Sequence, residues 1–396
     1  MSATSEFEAT VRPDAPDRLR SLPPYPLAGI PEARARLLAE GRDVLDLGAG
    51  DSGLPIPEIA VEALREAVGV PELQRYGFQR GLPRFRRAIV DFMERRTGAR
   101  LDPDREVLPL IGSKEGLAHF AFAALDSGDT VVVPDPGYAP YFGGPHFAQA
   151  KLARVRLRPE EGFLLPPAAV RDAPGKVRLV YANYPNNPTG ATTDRAYVSE
   201  LLAAASDRNA VLGYDNAYAE IAFDGYRPPS LLEIDGWRAN GIEFHSLSKS
   251  FNMTGWRLGW ACGSAELISR LARVKGFFDT GPYLALQAAG AAVLDRAEEL
   301  LKEQVARLTA RRDAAVAAFA RAGLPIASPR ATLYLWFEVP SRESSRDFAL
   351  RLLEEEALVL LPGSGLGAGG EGYLRAALTL PKDRYEEAAA RISRAI

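Results

Sequence analysis

The stretch FHSLSKSFNMTGWRLGW, Phe244 to Trp260, decides how this chain is read. It places Lys249 just past an extended run that begins at Ile242, with hydroxyls at Ser246, Ser248 and Ser250 and a guanidinium at Arg257. A lysine amine kept partly neutral by burial or by nearby positive charge can condense with an aldehyde. Hydroxyls and a planar guanidinium are the donors that gather around a phosphate. By itself a Ser-x-Ser-Lys run is as readily an exposed turn, so the weight falls on what the rest of the chain adds.

Composition narrows the field. A chain of 396 residues with 47% apolar and 25% charged residues affords a large core and points to two or three domains. Mean hydropathy is -0.12, and no apolar run approaches the roughly 20 residues of a spanning helix. The N-terminal MSATSEFEATVRPDAPDR carries acids and prolines where a signal peptide needs a basic end and an apolar block, which predicts a mobile arm on a cytoplasmic protein. A net charge of -3 argues against nucleic acid as a bulk electrostatic partner. Cys262 is the sole cysteine, and only His119, His146 and His245 accompany it, so no internal disulfide and no Cys/His metal cluster is expected. All but seven of the 48 basic residues are arginine, which makes a lysine in a loaded setting the more informative cation.

From about residue 44, apolar runs alternate with helical patterns. Strands are expected at Val44–Gly48, Val107–Ile111, Thr130–Val133, Leu152–Leu157, Arg178–Asn183, Ala210–Asp215, Ile242–Ser246 and Leu258–Gly263. Helices are expected at Pro57–Val68, Leu82–Thr97, Lys114–Leu125 and Asp194–Ser206, with a long one within Leu284–Ala322. This order predicts an α/β fold with a mainly parallel sheet covered on both faces, and ligands at the carboxyl ends of its strands. After Ala322, short strands at Leu333–Val339, Leu358–Leu361 and Tyr373–Thr379 flank a helix near Arg346–Glu356, with a last helix over Pro381–Ala395, which reads as a smaller α+β domain. The division expected is an arm over 1–43 partly packed with the small domain, a large domain over 44–285, and a linking helix with the small domain over 286–396. The Gly/Pro-rich loops Pro362–Gly372 and Ser52–Ile56 are candidates for movement over a site.

Several further stretches suit one cofactor. Gly112-Ser113-Lys114 follows a strand and opens a helix, where free N–H groups favour an anion; a plain N-cap is the alternative. Pro134-Asp135-Pro136-Gly137-Tyr138 holds a tyrosine that either stacks on a planar heterocycle or packs in the core. In Tyr184-Pro185-Asn186-Asn187-Pro188-Thr189-Gly190, two prolines fix Asn187 at a strand end. Asp215-Asn216-Ala217-Tyr218 ends an apolar strand with a carboxylate, costly there unless paired with a cation or used as a helix cap. Tyr76 precedes a helix and is either a phosphate contact or a surface residue. Arg375 follows a glycine loop and offers the bidentate guanidinium that holds an α-carboxylate. Lysine, phosphate cup, ring partner and carboxylate clamp together point to pyridoxal 5′-phosphate (PLP).

In order, GSKEG, PDPGY, YPNNPTG, DNAY, SLSK, Arg257 and Arg375 resemble the class I/II, fold type I PLP-dependent aminotransferases, from about Pro23 to the C-terminus. The resemblance implies a large domain with a mainly parallel seven-stranded sheet between helices, plus the smaller C-terminal domain. It implies Lys249 as the Schiff-base lysine and general base, Asp215 as partner of the ring nitrogen, Asn187 and Tyr218 as donors to the ring oxygen, and Tyr138 as the stacking aromatic. Ser113, Lys114, Ser246, Ser248 and Arg257 form the implied phosphate cup, with Tyr76 arriving from a second subunit of a homodimer that shares its sites. Arg375, helped by backbone at Gly50 and bordered by Tyr25, takes the α-carboxylate of an amino acid exchanging its amino group with a 2-oxo acid such as 2-oxoglutarate or pyruvate. Pro24-Tyr25, IGSKEGLAH and EFHSLSKSFNMTGWRLGW resemble the branch that acts on LL-diaminopimelate or alanine. Phe278-Asp279-Thr280-Gly281 departs from the asparagine that some members place against substrate. A carbon–sulfur β-lyase on the same fold is the alternative enzyme. A non-catalytic effector domain fits less well, because Lys249 is retained.

Overall fold

The computed structural model describes residues 14–22, 29–77, 80–324 and 326–396. Its centre is a seven-stranded sheet made of β2 (Val107–Leu110), β3 (Thr130–Asp135), β4 (Lys151–Arg156), β5 (Val177–Asn183), β6 (Val211–Asp215), β7 (Gly241–Ser246) and β8 (Gly259–Gly263), in the order β2-β8-β7-β6-β5-β3-β4. β8 pairs antiparallel with both β2 and β7, and the remaining pairs are parallel, so six strands point the same way. Inner strands are apolar on both faces because helices cover both. Val180, Ala182, Leu212 and Tyr214 join one buried cluster, while Leu179, Tyr181, Ile242 and Phe244 join another on the opposite face. The edge strand β4 has no fully buried residue and exposes Lys151, Arg154 and Arg156, which blunts the edge.

The small domain builds on β9 (Tyr334–Glu338), β11 (Leu361–Pro362) and β12 (Tyr373–Ala377), an antiparallel sheet in the order β11-β12-β9. The strand expected at Val44–Gly48 forms only as β1 (Leu45–Asp46). It pairs in parallel with β10 (Leu358–Val359) rather than with the large sheet. Leu45 and Leu47 therefore sit in the small-domain core with Leu335, Leu358 and Leu374. An apolar run specifies burial but not which sheet provides it. The helix Ile30–Ala39 packs Ile30 and Leu37 against Leu353, Ala357 and Val359 of the small domain.

The long helical stretch is two helices, Leu284–Asp295 and Ala297–Arg321, broken at Arg296. The second joins both cores, with Ala297 in the large one and Leu308, Ala315 and Phe319 in the small one. A helix over Ala265–Phe278, outside the expected set, carries Leu267, Ile268 and Leu271 against the large sheet. Among the described residues, no helix is long and apolar enough to cross a membrane.

Candidate active site

The carboxyl ends of β2, β3, β5, β6 and β7 bring the predicted side chains to one rim of the large sheet. β2 leads through Gly112 into the helix Ser113–Ala124, β5 leads to Asn187, and β6 ends on Asp215. β7 ends on Ser246, which caps the turn carrying Ser248 and Lys249: its Oγ accepts from the Ser248 N–H at 3.2 Å. β8 begins two residues after Arg257.

Gly112 and Gly259 let the cup assemble. Gly112 has φ +76°, and a Cβ there would lie 2.6 Å from Arg257 Nη2. A Cβ on Gly259 would lie 3.1 Å from the Ser113 nitrogen. Arg257 is itself left-handed (φ 54°), and its Nη1 donates to the Thr254 carbonyl at 2.8 Å and to Ser248 Oγ at 3.3 Å. The helix at Ser113 has no side-chain cap, so its first N–H groups, buried Ser113 and Arg257 converge as anion donors. Lys114 stands exposed in the first turn. With Gly137 it lines a cavity of about 820 Å³ whose wall includes Arg154 and Arg346 and, among the described residues, no carboxylate.

Asp215 is 2% exposed. Its Oδ2 accepts from the Tyr141 hydroxyl at 2.6 Å and its Oδ1 from the Ala217 N–H at 3.4 Å; neither donor carries a charge. Burial pushes its carboxyl up to about 6 even though Tyr141 pulls the other way. Asn183 links this strand end to the next loop, its Nδ2 donating to the Asp215 carbonyl and its Oδ1 accepting from the Asn187 N–H, both at 2.7 Å. Half-buried Tyr138 meets the Tyr141 ring edge to face at 5.9 Å.

Buried Arg375, in the middle of the small sheet, reaches across the domain boundary. Its Nη1 donates to Asn187 Oδ1 at 2.9 Å and its Nη2 to the Gly48 carbonyl at 3.0 Å. Its guanidinium lies 4.1 Å over the Tyr334 ring, and its buried Nε has no partner among the described residues. Because Arg375 holds the carbonyl end of the Asn187 amide, the NH₂ end is the free donor. The Tyr218 hydroxyl lies 2.8 Å from that of Tyr334. Lys249 Nζ donates to the Gly50 carbonyl, and a Cβ on Gly50 would lie 3.4 Å from Tyr334 Oη and 3.9 Å from Lys249 Nζ. Tyr76 is at the surface, 70% exposed. Tyr25 lies outside the described residues.

Sequence reasoning missed Tyr141, Asn183, Tyr334 and Gln304. Gln304, on the linking helix, donates to the Lys249 carbonyl at 2.7 Å. Tyr141 stands three residues beyond Tyr138 and Asn183 closes a predicted strand, so spacing offered a clue to both. Tyr334 and Gln304 reach the site only through tertiary contact.

The donor set fits PLP. A buried carboxyl held up by desolvation suits a protonated ring nitrogen, and the cup suits a phosphate. The orphaned Arg375 Nε suits a carboxylate. A family model described as aminotransferase class I and II matches residues 42–392. An LL-diaminopimelate aminotransferase of Desulforudis audaxviator is 42% identical, with 95% of this chain and 96% of the relative aligned; one from Moorella thermoacetica is also 42% identical, over 96% and 97%. Among solved structures, substrate-bound BacF from Bacillus subtilis superposes with a TM-score of 0.91 at 32% identity, covering 97% and 98% of the two chains. A probable N-succinyldiaminopimelate aminotransferase from Thermus thermophilus gives 0.85 at 36% identity, covering 93% and 99%. This chain belongs to the class I and II aminotransferases, the PLP-dependent enzymes that pass an amino group from an amino acid to a 2-oxo acid.

Proposed function

We propose that this enzyme takes its amino group from LL-diaminopimelate and delivers it to 2-oxoglutarate, as one of two subunits of a cytoplasmic homodimer. The donor rests on relatives so named at 42% identity over nearly the whole chain. The dimer is supported by exposed aromatics that a lone chain leaves in water: Phe277 at 89%, Tyr76 at 70% and Phe278 at 60%.

The bound cofactor supplies an aldehyde and an electron-withdrawing ring. Asp215 keeps a proton on the ring nitrogen, and the pairing lowers the cost of its own burial. The Asn187 amide and the Tyr218 hydroxyl would donate to the ring oxygen, and Tyr138 would stack on the ring. Ser113, Ser246, Ser248, Arg257 and the start of the Ser113–Ala124 helix hold the phosphate, joined by Lys114 and by Tyr76 of the partner subunit. Arg375 would take the α-carboxylate with the guanidinium N–H groups left over from its bonds to Asn187 and Gly48. Gly50 and Tyr25 border the substrate. Lys249 would hold the cofactor's aldehyde and would serve as the general base for the α-proton of the amino acid.

The observation that carries the cofactor chemistry of this reading is buried Asp215, whose hydrogen-bond donors among the described residues, Tyr141 and Ala217, are neutral. A donor screen tests it. With LL-diaminopimelate the cofactor absorbance is expected to shift to that of the amine form, and 2-oxoglutarate to restore it. Alanine giving the faster shift would reassign the donor. Pyruvate and ammonia released from cysteine without any 2-oxo acid would overturn transfer in favour of elimination.

A further inference from the structure

Lys275 is fully buried in the last turn of the helix Ala265–Phe278, away from the residues assigned above. A buried ammonium is destabilising unless closely paired. Its Nζ lies 2.9 Å from Glu115 Oε2 and 3.0 and 3.1 Å from the two Asp279 oxygens. Glu115 makes two further contacts. Oε1 lies 2.6 Å from His119 Nδ1, and Oε2 accepts the Ile111 N–H at 3.0 Å. Asp279 Oδ1 also accepts the Gly281 N–H at 2.6 Å.

The Glu115, His119 and Asp279 ligand atoms lie within 4.8 Å of one another, close enough for a metal ion, but the Lys275 ammonium already stands among their oxygens. Burial pushes the Glu115 carboxyl up, yet His119 and Lys275 together hold it below the usual range, so it stays charged at neutral pH. Ile111 is the residue before Gly112. One carboxylate thus fastens the backbone entering the phosphate turn to an ammonium on another helix. Donors around a phosphate work within a few tenths of an ångström, and that precision comes from the residues behind them.

We propose that Glu115 and Lys275 are positioning residues for the cofactor's phosphate, holding the Ile111–Ser113 turn so that its N–H groups and the Ser113 hydroxyl converge. This rests on the reading of that turn as the phosphate cup. Removing the brace loosens the turn and leaves Lys249 and Asp215 untouched, so the loss is confined to ligands that bear a phosphate.

The test compares PLP with pyridoxal, which lacks the phosphate, by equilibrium dialysis and absorbance titration of the full chain. Glu115→Ala is expected to weaken PLP tenfold or more and pyridoxal less than twofold. Glu115→Gln keeps an oxygen for the Ile111 N–H and is expected to stay within threefold of wild type for both ligands. Lys275→Met is expected to follow Glu115→Ala; should it fail to fold, the Glu115 pair alone decides. Glu115→Ala binding PLP as tightly as wild type, or losing both ligands equally, overturns the proposal. Wild type binding both ligands equally well would instead bring down the cup reading itself.

Discussion

Asp215 shows what one buried group demands of its surroundings. Its folded carboxyl holds a proton up to about pH 6, against an ordinary value of 3.8. The difference disfavours the ionised form by roughly 3 kcal/mol. The sign follows from which state binds the proton more tightly. The folded chain does, so the penalty is absent below about pH 4, grows between there and about pH 6, and is complete above. Cofactor-free Asp215→Asn, which keeps the Tyr141 contact without the charge, is therefore expected to be more stable than wild type at pH 8 by about 2–3 kcal/mol, and equal to it near pH 4. Urea unfolding at the two pH values reads this out. If Asp215 pairs with the ring nitrogen as proposed, bound PLP is expected to reverse the order. Equal stability of the two cofactor-free proteins at pH 8 would mean that Asp215 is not penalised as its burial implies. Asp215 was legible because a charge closing an apolar strand is anomalous locally. Its partner Tyr141 was not singled out, since the contact spans 74 residues.

Turns between strands and helices decide whether the cup closes. Gly112 pairs a left-handed backbone with a guanidinium where its Cβ would be. Alanine there meets both the left-handed strain, about 1–2 kcal/mol, and the Arg257 tip, which must swing away from the proposed phosphate cup. Gly112→Ala is expected to fold, because its clash is with the end of a flexible side chain. It is also expected to lose PLP affinity about tenfold or more, since 1.4 kcal/mol is a factor of ten; absorbance titration measures it. Unchanged affinity would show that Arg257 need not lie against this turn. The large-sheet strands were placed within two residues of their observed ends, because continuous apolar runs bounded by Gly, Pro and Asp leave little freedom. β1 went to the other sheet because hydrophobic pattern does not encode pairing partners. The helix Ala265–Phe278 escaped notice although Ser264 caps it, its Oγ accepting the Leu267 N–H at 3.3 Å. Its apolar face is interrupted by Lys275, which is buried by ion pairing that no periodicity reveals.

At the scale of the whole molecule, the domains meet along the linking helix, whose Gln304 holds the Lys249 carbonyl and the Asn252 amide. What a single chain leaves open is the aromatic patch at the end of the helix Ala265–Phe278. Phe277 and Phe278 stand just before the turn that leads to Tyr283, itself 41% exposed. The Tyr283 hydroxyl donates to Gln74 at 2.8 Å, which ties the Tyr76 segment to the same face. Phe278 also stacks on His119 at 4.7 Å, so the patch lies directly over the Glu115–Lys275 cluster. Phe277, 89% exposed, is the residue whose replacement perturbs the subunit itself least. An aromatic anchor at the centre of an interface is worth about 2 kcal/mol or more, roughly a 30-fold change in dissociation constant. Phe277→Asp is therefore expected to keep the thermal stability of the isolated subunit and to shift the dimer toward monomer in sedimentation velocity. In the proposed homodimer, transamination is expected to fall in step with the dimer fraction, because Tyr76 would then no longer reach the partner's phosphate. A Phe277→Asp protein that remains fully dimeric would place the interface elsewhere. A monomer with full activity would leave the dimer standing but remove Tyr76 from the shared site.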